Sequence, residues 1–523
     1  MMSNPRQAGR REWIGLGVLT LACLLYVMDL TVLHLAVPSI SRELHPTSAQ
    51  LLWIIDIYGF MVAGFLVTMG TLGDRIGRRK LLMIGSAAFG VVSLLAAFST
   101  SPEMLIVSRA LLGIAGATLG PSTLSLIFSM FQDPNQRARA IAVWISAFSA
   151  GSAIGPVIGG VLLEHFWWGS VFLLSMPVMA LLLVLGPIVL PEYRAPGAGR
   201  LDLISAAMSL VAVLSVIFGL KQIAQDGFAP PPVVSIALGT VVGLLFVRRQ
   251  LTLADPMIDL RLFRIPAFSA SLVINVLAVF VAFGYFLFVA QYLQLIVGLS
   301  PLRAGFWSVP SALGFIIGSN VAPRLTRLMR PSFLMSGGLA LAAAGLALLT
   351  QVGATDGLAI VVAGSIIVSL GLAPVMSLTT ELIVGAAPPE RAGTASGMSE
   401  TGAELGGALG ISILGSIGVA IYRHALAFQV PAGLSADAAA VARDTLGGAV
   451  AVAQSVQGPL GSELLEVARE AFVHGMQVAA GISAILAVAV ALLTLVALRN
   501  LRPANQPEPE PCVDCTDASL ALA

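Results

Sequence analysis

The sequence predicts an all-α integral membrane protein with fourteen spans. Three observations carry this expectation. Of 523 residues, 57% are hydrophobic and 11% charged, against roughly a quarter charged in an ordinary soluble protein. The apolar residues gather into fourteen runs of the ~20 residues that a helix needs to cross a bilayer. The basic residues then alternate between the loops of opposite sides. Lysine occurs only as Lys80 and Lys221. A water-facing surface needs more charge than this, so a soluble enzyme, a nucleic-acid binder and a disordered scaffold are excluded.

In chain order the runs are 13–38, 50–70, 81–99, 104–128, 140–163, 168–190, 201–221, 231–248, 267–294, 302–323, 332–351, 357–385, 393–422 and 475–498. The first is too long for a cleaved signal peptide, and Asp29 interrupts it. With the N-terminus in the cytoplasm, the outer loops hold Arg42, Lys221, Arg303, Arg423, Arg443 and Arg469. Arg109 falls inside a span, and the other twenty-one of the 28 basic residues lie on the cytoplasmic side. That is the bias of the positive-inside rule. An even number of spans puts both termini in the cytoplasm. The 53 Gly and 29 Pro residues fit packed transmembrane helices, which tolerate both. Of the three cysteines, Cys23 lies in an apolar run, and Cys512 and Cys515 form a single CxxC, half of a typical zinc site. No metal is assigned to it.

The chain repeats itself. Arg75, Arg78, Leu82, Met83 and Gly85 after span 2 recur, 252 residues on, as Arg327, Arg330, Leu334, Met335 and Gly337 after span 10. Pro134, Arg137 and Ala138 before span 5 recur as Pro388, Arg391 and Ala392 before span 13, 254 residues on. Two near-equal offsets suggest two duplicated six-helix bundles, spans 1–6 and 9–14, with spans 7 and 8 inserted. Two parallel repeats about an axis along the membrane normal are the plan of the major facilitator transporters. The domains expected are a cytoplasmic tail at 1–12, a first bundle at 13–190, a linker with two helices at 191–265, a second bundle at 266–498 and a disordered tail at 499–523.

The motifs sharpen this. GTLGDRIGRRKL at 70–81 resembles the facilitator loop signature. Asp74 and the cluster Arg75, Arg78, Arg79 and Lys80 occupy a short loop, while Gly70 and Gly77 allow close approach of helix ends. Charge pairs from this loop to a neighbouring helix end would latch one conformation. Arg109, with Gly113 four residues on, resembles the RxxxG motif associated with proton coupling. An arginine within a span is costly and faces a partner or a polar cavity, unless it snorkels from a helix end. Gly151, Gly155, Pro156, Gly159 and Gly160 resemble the antiporter motif gxxxGPxxGG. Physically they combine small-residue packing with a proline kink.

Asp29 to Pro38, with Trp53, Asp56 and Tyr58, resembles the fourteen-helix drug:proton antiporters, and within them the QacA-like pumps for quaternary ammonium compounds. The entry to span 6, Trp167 and Trp168, fits the same group, with Trp168 where the family usually has Arg. The resemblance covers about residues 13–498.

Five acids fall within spans: Asp29, Asp56, Glu381, Glu400 and Glu404. An ionised carboxylate in hydrocarbon is expensive, so each is a functional candidate. Three readings compete: proton carrier, anchor for a cationic substrate, or structural partner for an arginine. Trp53 shares a helix face with Asp56, and an aromatic beside an acid suits a lipophilic cation. Glu400 and Glu404 are one turn apart, and like charges so close favour reversible protonation near neutral pH. Glu381 lies near the cytoplasmic end of span 12, where a structural or snorkelling role is equally open. The resemblance places functional acids at Asp29, Asp56, Glu400 and Glu404. It usually adds one in span 10, where this chain has only Asn320, and this implies weaker handling of dications than of monocations. His34 and His165 read as polar interface residues rather than proton relays.

Residues 424–474 form the one long outer loop. It reads as a helical hairpin broken at Gly458 and Pro459, with Ser435 and Ser462 as N-caps. The resemblance implies a monomeric, proton-driven exporter of lipophilic, often cationic compounds in the inner membrane. Its partners would be small-molecule drugs, protons and the bilayer; it would need no cofactor and no nucleic acid. An exporter of an endogenous lipid, siderophore or antibiotic in the same fold is the alternative. A membrane enzyme or receptor is the third reading, but there is no HExxH, no GxSxG elbow and no Walker A loop.

Overall fold

A computed structural model of the chain describes residues 7–194, 202–226, 229–253, 256, 260–326, 328–386, 392–431, 433–456 and 458–499. The expectations for the C-terminal tail, for Cys512 and Cys515, for Arg327 and for Pro388 and Arg391 lie outside the described residues. So does the side chain of Asp74.

Among the described residues the fold is helical throughout, without strands. The first half holds α1 (Arg10–Leu44), α2 (Ser48–Ile76), α3 (Arg78–Ala97), α4 (Pro102–Gly116), α5 (Leu119–Met130), α6 (Pro134–His165), α7 (Ser170–Leu173) and α8 (Ser175–Val189). Then come α9 (Leu203–Asp226) and α10 (Pro230–Thr252). The second half holds α11 (Pro266–Gln291), which continues into a π-helical turn at Tyr292–Ile296, and α12 (Pro301–Leu325), α13 (Pro331–Leu349), α14 (Leu358–Gly385), α15 (Ala392–Gln429), α16 (Ala436–Asp444), α17 (Leu446–Val456) and α18 (Pro459–Ala497).

Local chemistry sets many of the starts. Ser101–Pro102, Asp133–Pro134 and Ser300–Pro301 each place a capping side chain before a proline. The cap oxygen satisfies an orphan N–H, and the proline has no N–H to leave unsatisfied. Thr47 and Gln50 close a reciprocal capping box at α2. The α4–α5 rod breaks at Ala117 and Thr118, where Thr118 Oγ1 bonds back to the Ala115 carbonyl at 2.7 Å. A Cβ on Gly85 would stand 1.7 Å from that hydroxyl, so α3 meets the break with bare backbone.

Packing repeats pair by pair between the halves. α1 lies on α6, α2 on α4, and α3 on α4 and α8; α11 lies on α15, α12 on α14, and α13 on α14 and α18. Two seams join the halves, α2 with α15 and α6 with α12. α9 and α10 pair with each other, and α9 also covers the α2–α15 seam.

Eleven helices among the described residues are long and apolar enough to cross a membrane. The rods at 134–165, 203–226 and 301–325 fall outside that group. Within the first two of these, the stretches Ile154–His165 and Ile204–Val216 are apolar but shorter; in α12, Gly, Ser, Asn and Arg dilute the hydropathy, and its small residues suit a seam between helices.

At the end holding the α1–α2 turn, the halves are tied together. Gln294 Nε2 donates to the Leu35 carbonyl at 2.9 Å. The Glu164 carboxylate accepts from Ser300 Oγ at 2.8 Å and from the Leu302 N–H at 3.2 Å. Asp444, at the end of α16, accepts from the Ser48 N–H at 3.0 Å and from Arg423 Nε at 3.1 Å. The molecule is therefore closed at this end. The polar contacts described at the opposite end stay within one half or within the α9–α10 pair.

The loop expectation needs one correction. Ser435 does cap α16, accepting from the Ala438 N–H at 3.2 Å. Ser462, however, sits inside α18, whose first residue is Pro459 after Gly458, a glycine at φ 86°. Pro459 at the first helical position starts the helix earlier than a serine cap would. The 39-residue α18 is about 58 Å long at 1.5 Å per residue, so it crosses and also supplies one arm of the hairpin.

Candidate functional site

The site lies where α1, α2, α4 and α15 meet. On α1, Cys23, Tyr26 and Asp29 recur every third residue and so stay close to one face. α1 can lie tightly on α6 because Gly151, Gly155 and Gly159 form a bare stripe beneath it. A Cβ at these positions would meet Leu24 and Val27, Thr31, and Val32 respectively.

Arg109 is the centre of the N-half arrangement. It is fully buried, which excludes snorkelling. Its Nη1 lies 2.6 Å from Asp29 Oδ2, and its Nε donates to the Ile54 carbonyl at 3.2 Å. Its guanidinium stands 4.5 Å from the Tyr58 ring centroid. A charge, a carbonyl and an aromatic face thus neutralise one cation far from water. Gly113 makes this possible, since a Cβ there would stand 2.5 Å from the Tyr58 carbonyl. Of the three readings for Asp29, the geometry supplies an arginine partner. A narrow cleft lies beside it, lined by Leu25, Met28, Val32, Phe172 and Ser175.

Glu404 of α15 meets this arrangement from the other half. Tyr26 Oη donates to Glu404 Oε1, and the Tyr26 ring lies 6.1 Å from Tyr58. Glu400, one turn away, presses on α5: a Cβ on Gly120 would stand 2.7 Å from Glu400 Oε1. Both acids are half-buried. Cys23 and Trp144 both contact the Thr123 hydroxyl, at 3.5 and 3.3 Å. One sequence of contacts therefore runs Glu404, Tyr26, Tyr58, Arg109, Asp29.

Three other candidates are not members of this sequence of contacts. Asp56 is buried on α2, sharing a face with Trp53 and Phe60. Trp53 packs on Phe60 at 6.2 Å and on Phe218 of α9 at 6.3 Å, so its ring is directed to the inserted helices. Glu381 is exposed near the end of α14, in keeping with the structural or snorkelling reading. Of the histidines, His165 is exposed, and His34 is buried among the helices rather than at an interface.

The loop motif finds its neighbour in Glu192, just beyond α8. Arg79 Nε lies 3.6 Å from Glu192 Oε2, the Arg79 N–H donates to Oε1 at 3.1 Å, and the Arg78 N–H donates to the Tyr193 carbonyl at 2.9 Å. Gly77 sits at φ 111° with the Glu192 carboxylate against its Cα, a conformation and a closeness that favour glycine. Arg78 is buried and Arg75 exposed. Gly70 leaves α2 close to Pro121. Gly160 and Pro156, on the far side of α6, meet α12: a Cβ on Gly160 would reach Leu302, and one on Gly305 would stand 2.3 Å from the Pro156 carbonyl. The antiporter-type motif thus serves two interfaces at once.

Sequence reasoning missed Tyr26, Thr123, Trp144 and Glu192. Tyr26 carried a signal, as a polar aromatic one turn before Asp29. Glu192 carried none, because its role depends on where α8 ends.

The profile described as Major Facilitator Superfamily matches residues 19–411. The chain is 42% identical to the multidrug efflux pump LfrA of Mycolicibacterium smegmatis, over 94% of this chain and 97% of that protein. It is 36% identical to the methyl viologen resistance protein SmvA of Salmonella typhimurium, over 90% and 94%. It is 32% identical to the tetracenomycin C resistance and export protein of Streptomyces glaucescens, over 92% of both. Among solved structures, it is similar in fold to a bacterial homologue of the human lysosomal transporter Spinster, in an inward-facing and unoccupied conformation. That likeness has a TM-score of 0.67 and 17% identity, covering 95% of this chain and 100% of that one.

Proposed function

The chain belongs to the major facilitator superfamily and transports rather than catalyses, and from that premise we propose that it is a proton-coupled multidrug efflux antiporter. It exports lipophilic, often cationic compounds such as quaternary ammonium biocides, dyes and antibiotics by alternating access. The relatives include a multidrug efflux pump, an antibiotic resistance and export protein and a puromycin resistance protein, which supports drug export. Fourteen helices cross the inner membrane, α6, α9 and α12 among them, with both termini in the cytoplasm and the hairpin of α16, α17 and the start of α18 outside. The protein acts as a monomer.

One observation carries the coupling: Glu404, a membrane-depth acid of the second half, is held by Tyr26 of the first. Glu400 lies one turn away, and the Asp29–Arg109 pair lies behind. A lipophilic cation and a proton compete for these acids. The cation, entering between the halves from the cytoplasm, displaces the proton. After the halves reorient, protons arriving from outside neutralise the acids and release the cation. Asp29 and Arg109 keep the N-half face of the site charged but balanced.

Everted membrane vesicles test this. Accumulation of tetraphenylphosphonium, a lipophilic monocation, is expected to follow an imposed proton gradient and to collapse with a protonophore. It is expected to exceed that of the dication methyl viologen, because α12 offers Asn320 where the resemblance to the fourteen-helix antiporters implies an acid. Accumulation unaffected by the gradient would refute the coupling.

A second reading rests on relatives whose names state tetracenomycin C export and puromycin resistance. In it the substrate is an endogenous antibiotic. Vesicles that ignore a panel of cationic dyes but accumulate an uncharged polycyclic antibiotic would favour it.

A further inference from the structure

We propose that Tyr26 positions the Glu404 carboxylate and ties its protonation to contact between the two halves, an inference that rests on the proton-coupled reading above. Tyr26 belongs to α1 and Glu404 to α15, and α1 packs mainly within its own half, on α6 and α8. The phenol O–H therefore reaches across the middle of the molecule, where the far-end ties of Glu164, Gln294 and Asp444 do not extend.

The donor is well fixed. Tyr26 is 6% exposed. Its ring lies against Tyr58, whose own ring lies under Arg109. The helix carrying it sits in the glycine stripe of α6. The acceptor is brought close by Gly59, where a Cβ would stand 3.7 Å from Glu404 Oε2 and 3.6 Å from Ala408. A larger residue at Gly59 would hold α15 away from α2.

The chemistry follows from the two states of the acid. An ionised carboxylate accepts a phenol hydrogen bond strongly, because the bond is charge-assisted. A protonated carboxyl accepts it weakly. Proton uptake by Glu404 thus loosens the mid-depth joint between α1 and α15, and proton loss tightens it. The other ionisable groups around Glu404 are Glu400 on its own helix, Cys23 and Asp29 on α1, Asp56 and Tyr58 on α2, and Arg109 on α4. Asp29 and Arg109 balance each other at 2.6 Å, Tyr58 keeps its ring on Arg109, and Cys23 is engaged by Thr123. Glu400 is the acid one helical turn from Glu404 and shares its helix face. Tyr26 is the hydroxyl donor described on the Glu404 carboxylate.

The test follows the pH dependence of proton release when tetraphenylphosphonium is added to the purified full-length protein in nanodiscs. In Tyr26→Phe the ring stays and one oxygen leaves. The carboxylate loses a donor that favoured its charged form, so the midpoint is expected to move up by about one pH unit, a tenfold change in proton affinity. Glu404→Asp, which shortens the acceptor by one methylene and keeps Tyr26, is expected to move the midpoint the same way, and it serves if Tyr26→Phe fails to fold. A purely structural Tyr26 would lower thermal stability and leave the midpoint in place, and an unmoved midpoint in the folded variant overturns the proposal. Wild-type protein that binds the cation without releasing protons overturns the proton-coupled reading and this inference with it.

Discussion

At the scale of single residues, Arg109 and Asp29 form the most exacting pair. Breaking a buried ion pair by removing one partner costs roughly 3–5 kcal/mol, because it leaves an uncompensated charge. Asp29→Asn is therefore expected to lower the melting temperature in detergent and to abolish efflux. Asp29→Asn combined with Arg109→Gln is expected to regain stability without regaining transport, as thermal-shift and dye-efflux assays would show. Glu381→Gln is expected to keep efflux within about twofold, since an exposed charge near a helix end contributes little. The acids, Arg109 and the glycine motifs were legible in the sequence, because charge and bare backbone inside apolar runs are conspicuous. What Asp29 does was not, since nothing in the spacing of 29 and 109 says that α4 turns its arginine onto α1. The surroundings of Trp53 were not legible for a related reason. Its face of α2 was identified, but the inserted helix α9 that covers that face has no counterpart in the repeat.

At the scale of elements, α6 is the helix that the two halves share. Its glycine stripe carries α1, and its Pro156 and Gly160 carry α12. Gly305→Ala would press a methyl group against the Pro156 carbonyl, a backbone atom without freedom to yield. Overpacking of this kind costs about 1–3 kcal/mol, and a melting temperature lowered by a few degrees is the expected reading. The far-end clasp is tested differently. Asp444 joins α2, through Ser48, to α15, through Arg423. In a variant lacking Cys23, Cys512 and Cys515, Asp444→Asn is expected to speed labelling of Leu52→Cys by a membrane-impermeant thiol reagent added outside. Leu52 lines a small cleft shared with Ser48, Asp444 and Leu446, which the clasp closes. The hairpin itself was legible from its turn residues. The extension of α18 through Ser462 was not, because Pro459 begins a helix as readily as a serine caps one.

At the scale of the whole molecule, the scarcity of charge fixed the class, and two offset echoes pointed to the duplication that the paired packing of α1–α8 and α11–α18 repeats. Among the described residues eleven helices are long and apolar enough to cross a membrane, and the proposed fourteen-span plan adds α6, α9 and α12. Single cysteines placed at the α6–α7, α9–α10 and α11–α12 turns are expected to react from outside. Cysteines at the α2–α3 and α8–α9 connections are expected to react only after permeabilisation. Any reversal in that pattern would break the fourteen-span alternation. The central claim, that cation and proton compete for the acids of α15, is met most directly by adding tetraphenylphosphonium to purified protein in weakly buffered solution and following the pH. The account predicts proton release from the wild type and none from the Glu400→Gln, Glu404→Gln double variant. Cation binding without proton release, or equal release from the double variant, would contradict it.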